Sequence, residues 1–414
     1  MAPVTSVPET ISLGCRLNAY EAERMAKLAA DAGERDAVIV NTCAVTNEAV
    51  RQSRQAIRKA ARGGRRVIAT GCAVQTDPDG FAAMPEVART LGNAEKLDPS
   101  SWARPHAPED VFARTALPRA PSPAAVAIRA HLEVQNGCDH RCTFCIIPYG
   151  RGQARSKRIE EVVAEARDLA ALGAKEVVLT GVDLTSWGPD LGEERLGHLV
   201  EALLAALPGD VAIRLSSIDG AEVDDRLFAL LTQEERVAPY AHLSLQSGAD
   251  MILKRMKRRH SRADAVRLSE RLRAARPNIA LGADLIAGFP TETEEMAAET
   301  RALVRDCGLS YVHVFPFSPR TGTPAARMPQ VARAVVKARA AALRAAAEAA
   351  LQAHLDAKLN RPQTLLVEQT AAGRATGKTP DFTDIVCEGA AAPGTRLSVL
   401  PQRRDGRRLL AVRA

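Results

Sequence analysis

Three cysteines lie close together near the middle of the chain. These central cysteines are Cys138, Cys142 and Cys145, in the segment NGCDHRCTFC. Thiolates hold iron–sulfur clusters, and a loop this short can place three of them around one cubane, which leaves the fourth iron open to another ligand. A zinc site or three unconnected core cysteines are the alternatives, and the spacing leaves zinc open because His140 lies inside the loop.

Three more cysteines are far apart in sequence but occupy equivalent places. These N-terminal cysteines are Cys15, which ends SLGC, Cys43, which ends VIVNTC, and Cys72, which ends VIATGC. Each directly follows an apolar strand candidate, and the carboxyl ends of parallel strands meet at one edge of a sheet, so the thiols should converge. The pattern favours a second cluster with three protein ligands and one open iron over unrelated core cysteines.

Hydrophobic periodicity predicts an α/β chain in five parts. Residues 1–97 alternate apolar runs with helical patterns, which predicts a doubly wound α/β domain around the N-terminal cysteines. Residues 98–128 are rich in Pro, Ala and Arg and are interpreted as a linker. Residues 129–330 predict a partial (β/α)6 barrel with reactive groups at the carboxyl ends of its strands. A connecting helix at 331–360 and a small all-β domain at 361–414 complete the predicted fold.

Six strand candidates define the predicted barrel. They are His131–Val134, Glu176–Leu179, Val211–Leu215, His242–Leu245, Ile279–Leu285 and Tyr311–Phe315. The central cysteines follow the first of them directly, where a barrel of this kind places its chemistry.

Composition indicates a globular protein with more than one core. The chain has 414 residues, of which 46% are hydrophobic. No signal-like segment or apolar run of membrane-spanning length stands out, so we expect a cytoplasmic protein with no membrane partner. Eight cysteines in that reducing compartment favour metal binding over disulfides, although Cys307 and Cys387 lack partners at ligand spacing and are expected to be structural. The net charge of +7 suits a polyanionic partner without requiring one.

With these residues in place, the chain is similar to the radical S-adenosylmethionine (SAM) methylthiotransferase family. The spacing of the central cysteines, with Phe144 before the last one, resembles the radical SAM superfamily. LGCRLNAYE, VIVNTCAVTNEAVRQSRQ and ATGC resemble the family's own N-terminal domain, and IIPYGRG, VLTGVDL, HLSLQSG and DLIAGFPTET follow in the family's order. GKTPDFTDIVCEG resembles the RNA-binding TRAM domain, so the predicted C-terminal domain is TRAM-like.

Within this family, GCRLN, with Arg16 and Asn18, and IIPYGRG are most similar to the tRNA N6-threonylcarbamoyladenosine methylthiotransferases, the MtaB group. The resemblance implies methylthiolation at C2 of this adenosine at position 37, in the anticodon loop of tRNA. Methylthiolation of isopentenyladenosine in tRNA or of a ribosomal protein aspartate stays open, as does a non-catalytic cluster or zinc protein that binds RNA.

The resemblance also implies the cofactors and the course of the reaction. The central cysteines would hold a [4Fe–4S] cluster whose reduction cleaves SAM to a 5′-deoxyadenosyl radical, which takes hydrogen from C2. The N-terminal cysteines would hold an auxiliary [4Fe–4S] cluster that presents a sulfur atom, first methylated by another SAM, so two SAM molecules are used per product. An electron donor such as flavodoxin or ferredoxin and a sulfur donor are the further partners implied.

Five residues at or near predicted strand ends are candidates for binding SAM. They are Gly181, Arg214, Ser216, Gln246 and Ser247. The superfamily uses the place of Gly181 for close backbone approach to the methionyl group, and the others could bind its carboxylate and ribose. For each of the five, a purely structural hydrogen-bonding role is the alternative.

Contacts with RNA have fewer candidates. Tyr149, Phe289 and Phe317 are predicted stacking partners for a splayed base, with a core or rim position as the alternative. Two basic segments, LKRMKRRH at 253–260 and RRDGRR at 403–408, could contact tRNA phosphates or form solvated surface.

Overall fold

A parallel four-stranded sheet with helices on both faces forms the first part of the protein. In the computed structural model, residues 8–103, 108–118, 121, 126–192 and 194–414 are described. The elements of this part are β1 Glu9–Ser12, α1 Arg16–Asp31, β2 Val38–Thr42, α2 Asn47–Ala61, β3 Val67–Gly71, α3 Cys72–Thr76, α4 Pro78–Ala82 and β4 Arg89–Leu91. The strands run in the order β1-β2-β3-β4, so the carboxyl ends of the first three lie side by side.

Apolar cores on the two faces explain why β2 and β3 are buried along their whole length. On one face, Leu17 and Met25 of α1 pack on Ile39, and on the other face Ile57 of α2 packs with Val38. The predicted α/β domain is thereby confirmed. Helix α1 begins at Arg16, directly after Cys15, because the extended residue Cys15 caps it and its carbonyl accepts the first backbone hydrogen bonds.

The predicted linker lies partly outside the described residues. Within the described part, Pro99–Ala103 forms the short helix α5, and its Trp102 is buried in the core beside α1. The indole N–H of Trp102 donates to the carbonyl of Lys96 at 3.0 Å, which satisfies its one polar group. The Pro- and Ala-rich composition of this segment conceals that packing.

All six predicted barrel strands are present in the central part. Its strands are β5 Arg129–Glu133, β6 Gln135–Asn136, β7 Arg155–Ser156, β8 Glu176–Thr180, β9 Ala212–Leu215, β10 Ser217–Ile218, β11 Tyr240–Gln246, β12 Ala280–Ala287 and β13 Leu309–Pro316. Its helices are α6 Ile147–Arg151, α7 Ile159–Ala171, α8 Leu196–Ala206, α9 Asp225–Gln233, α10 Asp250–Met256, α11 Arg262–Ala275 and α12 Glu294–Asp306.

Two parallel sheets, β5-β8-β9 and β10-β11-β12-β13, make up this partial barrel. They join at Ser216, the single residue between β9 and β10. The first and last strands, β5 and β13, do not pair with each other, so the barrel is open on that side. One continuous apolar core fills the space between the strands and their outer helices.

A long helix and a closed β-barrel complete the chain. They are α13 Arg333–Asp356, followed by β14 Gln363–Ala371, β15 Arg374–Lys378, β16 Asp384–Glu388, β17 Arg396–Asp405 and β18 Arg408–Arg413. Early in α13, Ala340 and Leu343 pack on the central core, whereas Leu351 and Leu355 pack on the β-barrel, so the helix joins the two. The strands close in the order β14-β15-β16-β18-β17, as a small all-β domain should.

The N-terminal part packs against the open side of the barrel. Helix α1 lies beside β5, and Arg24 pairs with Glu165 of α7 at 2.5 Å. The ammonium of Lys157 donates to the hydroxyl of Tyr20 at 2.9 Å. Within the described ranges, no helix combines the length and hydropathy that crossing a bilayer requires.

Candidate active site between two sets of cysteines

The central cysteines lie in one loop at the carboxyl end of the first barrel strand. Gly137 begins the loop with φ +77°, and a Cβ at this position would lie 1.7 Å from the carbonyl oxygen of Gln153. The backbone N–H of Cys138 donates to Gly152, and that of Cys145 donates to the carbonyl of Cys142, both at 3.1 Å. The loop therefore folds back on itself and depends on a glycine at its start.

Burial and mutual proximity act on these three thiols. Burial raises the pKa of Cys145 to about 12, with a further contribution from Cys142. Burial and the Asp183 carboxylate raise the pKa of Cys138 well above its ordinary value, and its thiol donates to Asp183 Oδ2 at 3.4 Å. Thiols with raised pKa values become thiolates when a metal cation binds them. Three such sulfur ligands in one short loop suit three of the four irons of a [4Fe–4S] cubane.

His140 is held by acidic neighbours inside the same loop. Its Nε2 lies 2.7 Å from Asp183 Oδ2 and 3.4 Å from Glu222 Oε1. Hydrogen bonds to these two carboxylates raise the pKa of His140 to about 10. This raised pKa favours the charged imidazole, whereas Arg259 Nη2, which can only donate, also lies 2.9 Å from Nε2. Cys138, His140 and Asp183 place ligand atoms within 4.8 Å of one another.

The N-terminal cysteines converge as the strand order predicts. Burial raises the pKa of Cys43 to about 11, with further contributions from Cys72 and Cys15, and Cys72 also raises the pKa of Cys15. Gly14, at φ +96°, precedes Cys15, and a Cβ there would lie 2.7 Å from the sulfur of Cys43. Gly71, at φ +98°, precedes Cys72 and would meet the carbonyl of Thr42 at 2.4 Å. Glycine at both positions lets the cysteine-bearing turns approach closely.

Polar side chains surround Cys72 from two parts of the chain. Asn93 Nδ2 and Arg151 Nε each donate to its sulfur at 3.3 Å. Arg151 comes from α6, directly after the central cysteines, and its Nη2 also donates to Asn18 Oδ1 at 2.6 Å. The thiol of Cys15 donates to the same Asn18 oxygen at 3.6 Å. One arginine therefore connects the loop of the central cysteines with the N-terminal set.

A cavity of about 230 Å³ is lined by the central cysteines and by residues that follow one of the N-terminal cysteines. Val45 and Thr46, which follow Cys43, line it on one side, and all three central cysteines line it on the other. Its apolar walls include Phe144, Ile286, Phe315 and Phe317, and its polar walls include Asp183, Asp219, Ser244, Gln246, Arg258 and Asp284. The arrangement is a largely apolar chamber with a few directed polar groups, which is the usual form of a small-molecule site.

The five predicted SAM contacts have different surroundings. Gln246 lines the cavity, where it ends β11 with φ +68°. Gly181 precedes the cavity residues Val182 and Asp183 and packs against Gln135. The Ser247 hydroxyl lies 3.2 Å from Thr300 Oγ1, and that of Ser216 is buried without a described partner.

Arg214 lies deeper in the barrel than the cavity walls. Its guanidinium donates to both carboxylate oxygens of Glu176, at 2.6 and 2.9 Å, and to the carbonyl of Pro380 at 2.7 Å. Because Pro380 belongs to the C-terminal part, the structure gives Arg214 a contact between domains and not a position in the cavity wall.

A hydrogen-bonded relay beside the cavity was not identified from sequence. The Tyr240 hydroxyl lies 2.9 Å from His242 Nδ1, and His242 Nε2 lies 3.0 Å from Asp284 Oδ1. His313 Nδ1 lies 3.1 Å from the same oxygen. Burial opposes ionisation of Asp284, but the two imidazoles hold its pKa well below the ordinary value, so the carboxylate facing the cavity is ionised. Its place in DLIAGFPTET, within a barrel strand, is the signal that the sequence offers.

The predicted RNA contacts are distributed between the cavity and the surface. Phe317 lines the cavity, Phe289 is buried behind it, and Tyr149 is 46% exposed. In the segment 253–260, Arg258 donates to Asp219 at 2.9 Å and lies 3.8 Å from the sulfur of Cys142. The segment 403–408 forms the turn between β17 and β18, where Arg407 pairs with Glu348 on α13.

Two family models match the chain in the order of these parts. Residues 9–92 match a family described as "Uncharacterized protein family UPF0004", and residues 132–304 match the "Radical SAM superfamily". The first range contains the N-terminal cysteines, and the second contains the central cysteines and the cavity walls of β11 and β12.

Two relatives match most of the chain. Threonylcarbamoyladenosine tRNA methylthiotransferase MtaB of Rickettsia prowazekii (strain Madrid E) is 46% identical over 368 residues, which are 87% of this chain and 87% of the relative. The protein of the same name from Bacillus subtilis (strain 168) is 35% identical over 336 residues, covering 77% of this chain and 74% of the relative.

A solved structure has the same fold over a large part of the chain. It is the radical S-adenosylmethionine methyltransferase TsrM from Kitasatospora setae, with tryptophan substrate and a SAM analogue bound. The match has a TM-score of 0.52 at 17% identity and covers 73% of this chain and 68% of that chain. At this identity, the similarity concerns the fold alone.

Proposed function

The chain belongs to the MtaB group of radical SAM methylthiotransferases, and from this premise we propose that it methylthiolates C2 of N6-threonylcarbamoyladenosine at position 37 of tRNA. The enzyme class follows from the family. The exact nucleoside, its atom and the residues that act on it are the proposal.

One observation supports the proposal above the others: the cavity at the central cysteines extends to the segment that follows Cys43. The central cysteines line the cavity directly, and on the N-terminal side Val45 and Thr46, close to Cys43 in sequence, line it. A reaction that activates a C–H bond and adds sulfur at the same carbon requires both functions within reach of one bound base. A binding protein with a single cluster would have no use for the second set.

The two sets fit the groups that the family implies. We propose that the central cysteines hold the [4Fe–4S] cluster that binds SAM and that the N-terminal cysteines hold an auxiliary one. When bound, the first supplies the electron that cleaves SAM, and the second supplies the sulfur. Both sets offer three sulfur ligands and no fourth among the described residues, which leaves one iron open in each.

Side chains of the cavity would orient the substrates. We propose that SAM lies beside the central cysteines, with Gln246 as a polar contact and the backbone after Gly181 close by. The ionised Asp284 can accept hydrogen bonds from N–H groups of a bound base. Phe144 and Phe317 give the chamber apolar walls that exclude water from a reactive radical. Arg214 and Ser247 keep structural roles in this proposal, and Ser216 has no assigned contact.

Partners follow from the same chemistry. The RNA-binding surface would include the C-terminal β-barrel and its turn at 403–408, where arginines are exposed. A one-electron donor such as flavodoxin or ferredoxin and a source of sulfur complete the set of proposed partners. The proposed location is the cytoplasm, where tRNA and these donors occur.

The test compares the nucleosides of total tRNA in a strain lacking this gene with the same strain carrying it again. We expect methylthio-threonylcarbamoyladenosine to disappear and its precursor without sulfur to accumulate, with mass spectrometry as the measurement. If only methylthio-isopentenyladenosine is lost, the substrate is the other adenosine. If tRNA is unchanged and a ribosomal protein loses a methylthio group, the tRNA proposal is wrong.

A further inference from the structure

Phe382 of the C-terminal part inserts between the amino-terminal ends of the barrel strands. It adopts φ +80°, a conformation that few residues other than glycine adopt, so the surrounding packing holds it in place. Its ring stacks on Tyr240 with centroids 5.2 Å apart and meets Tyr311 edge-on at 6.0 Å. The barrel is therefore closed at this end and open toward the cavity.

Four cations surround this one ring. Measured to the ring centroid, Lys378 Nζ lies at 4.4 Å, and the guanidinium carbons of Arg129 and Arg214 lie at 5.2 Å. The guanidinium carbon of Arg16 lies at 5.4 Å. Cations from all three parts of the chain thus meet at Phe382.

Three of these four cations have carboxylate partners. Arg214 pairs with Glu176, Arg129 pairs with Glu368 at 3.1 Å, and Lys378 pairs with Asp384. In the described part of the chain, no carboxylate oxygen lies within 4.0 Å of Arg16, and it has no hydrogen-bond partner there. Arg16 is partly buried, so its charge is not fully hydrated.

Arg16 connects the N-terminal cysteines with this interior. It follows Cys15 directly and begins α1, which packs beside β5 on the open side of the barrel. Phe382 also stacks on Tyr240. The Tyr240 hydroxyl hydrogen-bonds to His242, and His242 hydrogen-bonds to Asp284 in the cavity wall. A cation without an ion-pair partner among the described residues therefore lies at Phe382, which a series of side-chain contacts connects with Asp284 in the cavity wall.

We propose that Arg16 determines substrate specificity by binding the carboxylate of an acidic substituent on N6 of the target adenine. The inference rests on the proposed function, because threonylcarbamoyl is such a substituent. A guanidinium binds a carboxylate through two parallel hydrogen bonds. A neutral alkyl substituent would bury Arg16 without a partner, which disfavours isopentenyladenosine.

The experiment uses full-length enzyme with both clusters reconstituted and anticodon stem-loop RNA. The RNA carries threonylcarbamoyladenosine, its threonine-amide analogue, or isopentenyladenosine. The proteins are the native enzyme, Arg16→Gln, Arg16→Lys and the control Arg35→Gln, which changes an exposed arginine of the same domain. Product is measured by mass spectrometry, RNA affinity by fluorescence anisotropy, and SAM cleavage without RNA by 5′-deoxyadenosine formation.

We expect Arg16→Gln to lower kcat/KM for the acid about 10- to 100-fold, in the range for a lost charged hydrogen bond. In the native enzyme, kcat/KM should be lower on the amide RNA than on the acid RNA by a similar factor. In Arg16→Gln, kcat/KM should be the same on the two RNAs, whereas Arg16→Lys should retain part of the preference for the acid. SAM cleavage without RNA and the Arg35→Gln variant should match the native enzyme.

The assignment of Arg16 is overturned if the native enzyme and Arg16→Gln prefer the acid RNA over the amide RNA by the same factor in kcat/KM. The same holds if the native enzyme accepts acid and amide equally, a result that does not depend on any variant folding. Failure of the proposed function gives a different result, because the native enzyme would then form no product on threonylcarbamoyl RNA.

Discussion

Arg151 Nε lies 3.3 Å from the sulfur of Cys72, and the same guanidinium donates to Glu21 Oε1 at 2.6 Å. Arg151 and Glu21 are 130 residues apart in sequence and both are buried. The contact fixes the N-terminal cysteines relative to the loop of the central cysteines. Four predictions follow from this arrangement and its surroundings, apart from the tests above.

Replacing Arg151 by Gln should destabilise the contact between the first two parts of the protein. Without Arg151, the buried Glu21 keeps Lys96 as an ion-pair partner, so the expected cost is that of a lost charged hydrogen bond, about 1.5–3 kcal/mol. Thermal unfolding of the variant should show this loss, and electron paramagnetic resonance should show an altered auxiliary cluster because Cys72 loses a hydrogen bond. Arg35→Gln, on the exposed surface, is the matched control. Unchanged stability and an unchanged spectrum would contradict the role of Arg151.

Glu21 should make the free energy of unfolding depend on pH in the acidic range. Burial alone would raise its pKa, but Arg151 and Lys96 outweigh this effect and lower the pKa to about 2. A depressed pKa stabilises the folded state above the ordinary value of about 4.5, and the stabilisation is lost as the pH falls toward about 2. The free energies of unfolding of native protein and Glu21→Gln, measured in urea, should therefore converge over this range. A difference that is constant with pH would show that the pKa of Glu21 is the same in the folded and unfolded states, which contradicts the prediction.

The two sets of cysteines should have separable roles. Cys142→Ala should abolish both 5′-deoxyadenosine formation and methylthiolation. Cys43→Ala should remove about half of the bound iron, keep SAM cleavage without RNA, and form no methylthio product. Cys387→Ala, a buried cysteine of the C-terminal β-barrel, is the control and should keep the full iron content. Full methylthiolation by Cys43→Ala would disprove the proposed auxiliary cluster.

Gly282 should be required for the relay that holds Asp284. A Cβ at Gly282 would lie 2.5 Å from the Tyr240 hydroxyl and 2.6 Å from His242 Nδ1, so alanine must displace their hydrogen bond. Overpacking of this kind costs about 1–3 kcal/mol, and we expect Gly282→Ala to lower both the melting temperature and methylthiolation. Gly209→Ala is the matched control, because nothing lies within 4 Å of its new Cβ. Equal behaviour of the two variants in both assays would show that the relay is not needed.

The strands and the location of the cysteines could be predicted from sequence. All six barrel strands, the α/β N-terminal part and the closed C-terminal β-barrel are present, because apolar periodicity reports which segments are buried. The convergence of the N-terminal cysteines could be predicted as well, since parallel order alone brings the ends of neighbouring strands together. Composition predicts a linker where helix α5 forms, because it does not show that one aromatic side chain, Trp102, anchors this segment in the core.

The partners of the charged side chains depended on the tertiary structure. Arg214, predicted near a strand end that could meet a cofactor, pairs with Glu176 and Pro380, and Arg258 of a basic run contacts Asp219 inside the cavity. The sequence by itself determined which residues end strands, because that depends on local pattern. Only the tertiary structure decided that Arg151 meets Cys72 and that Arg16 faces Phe382, because such contacts depend on how distant domains pack together.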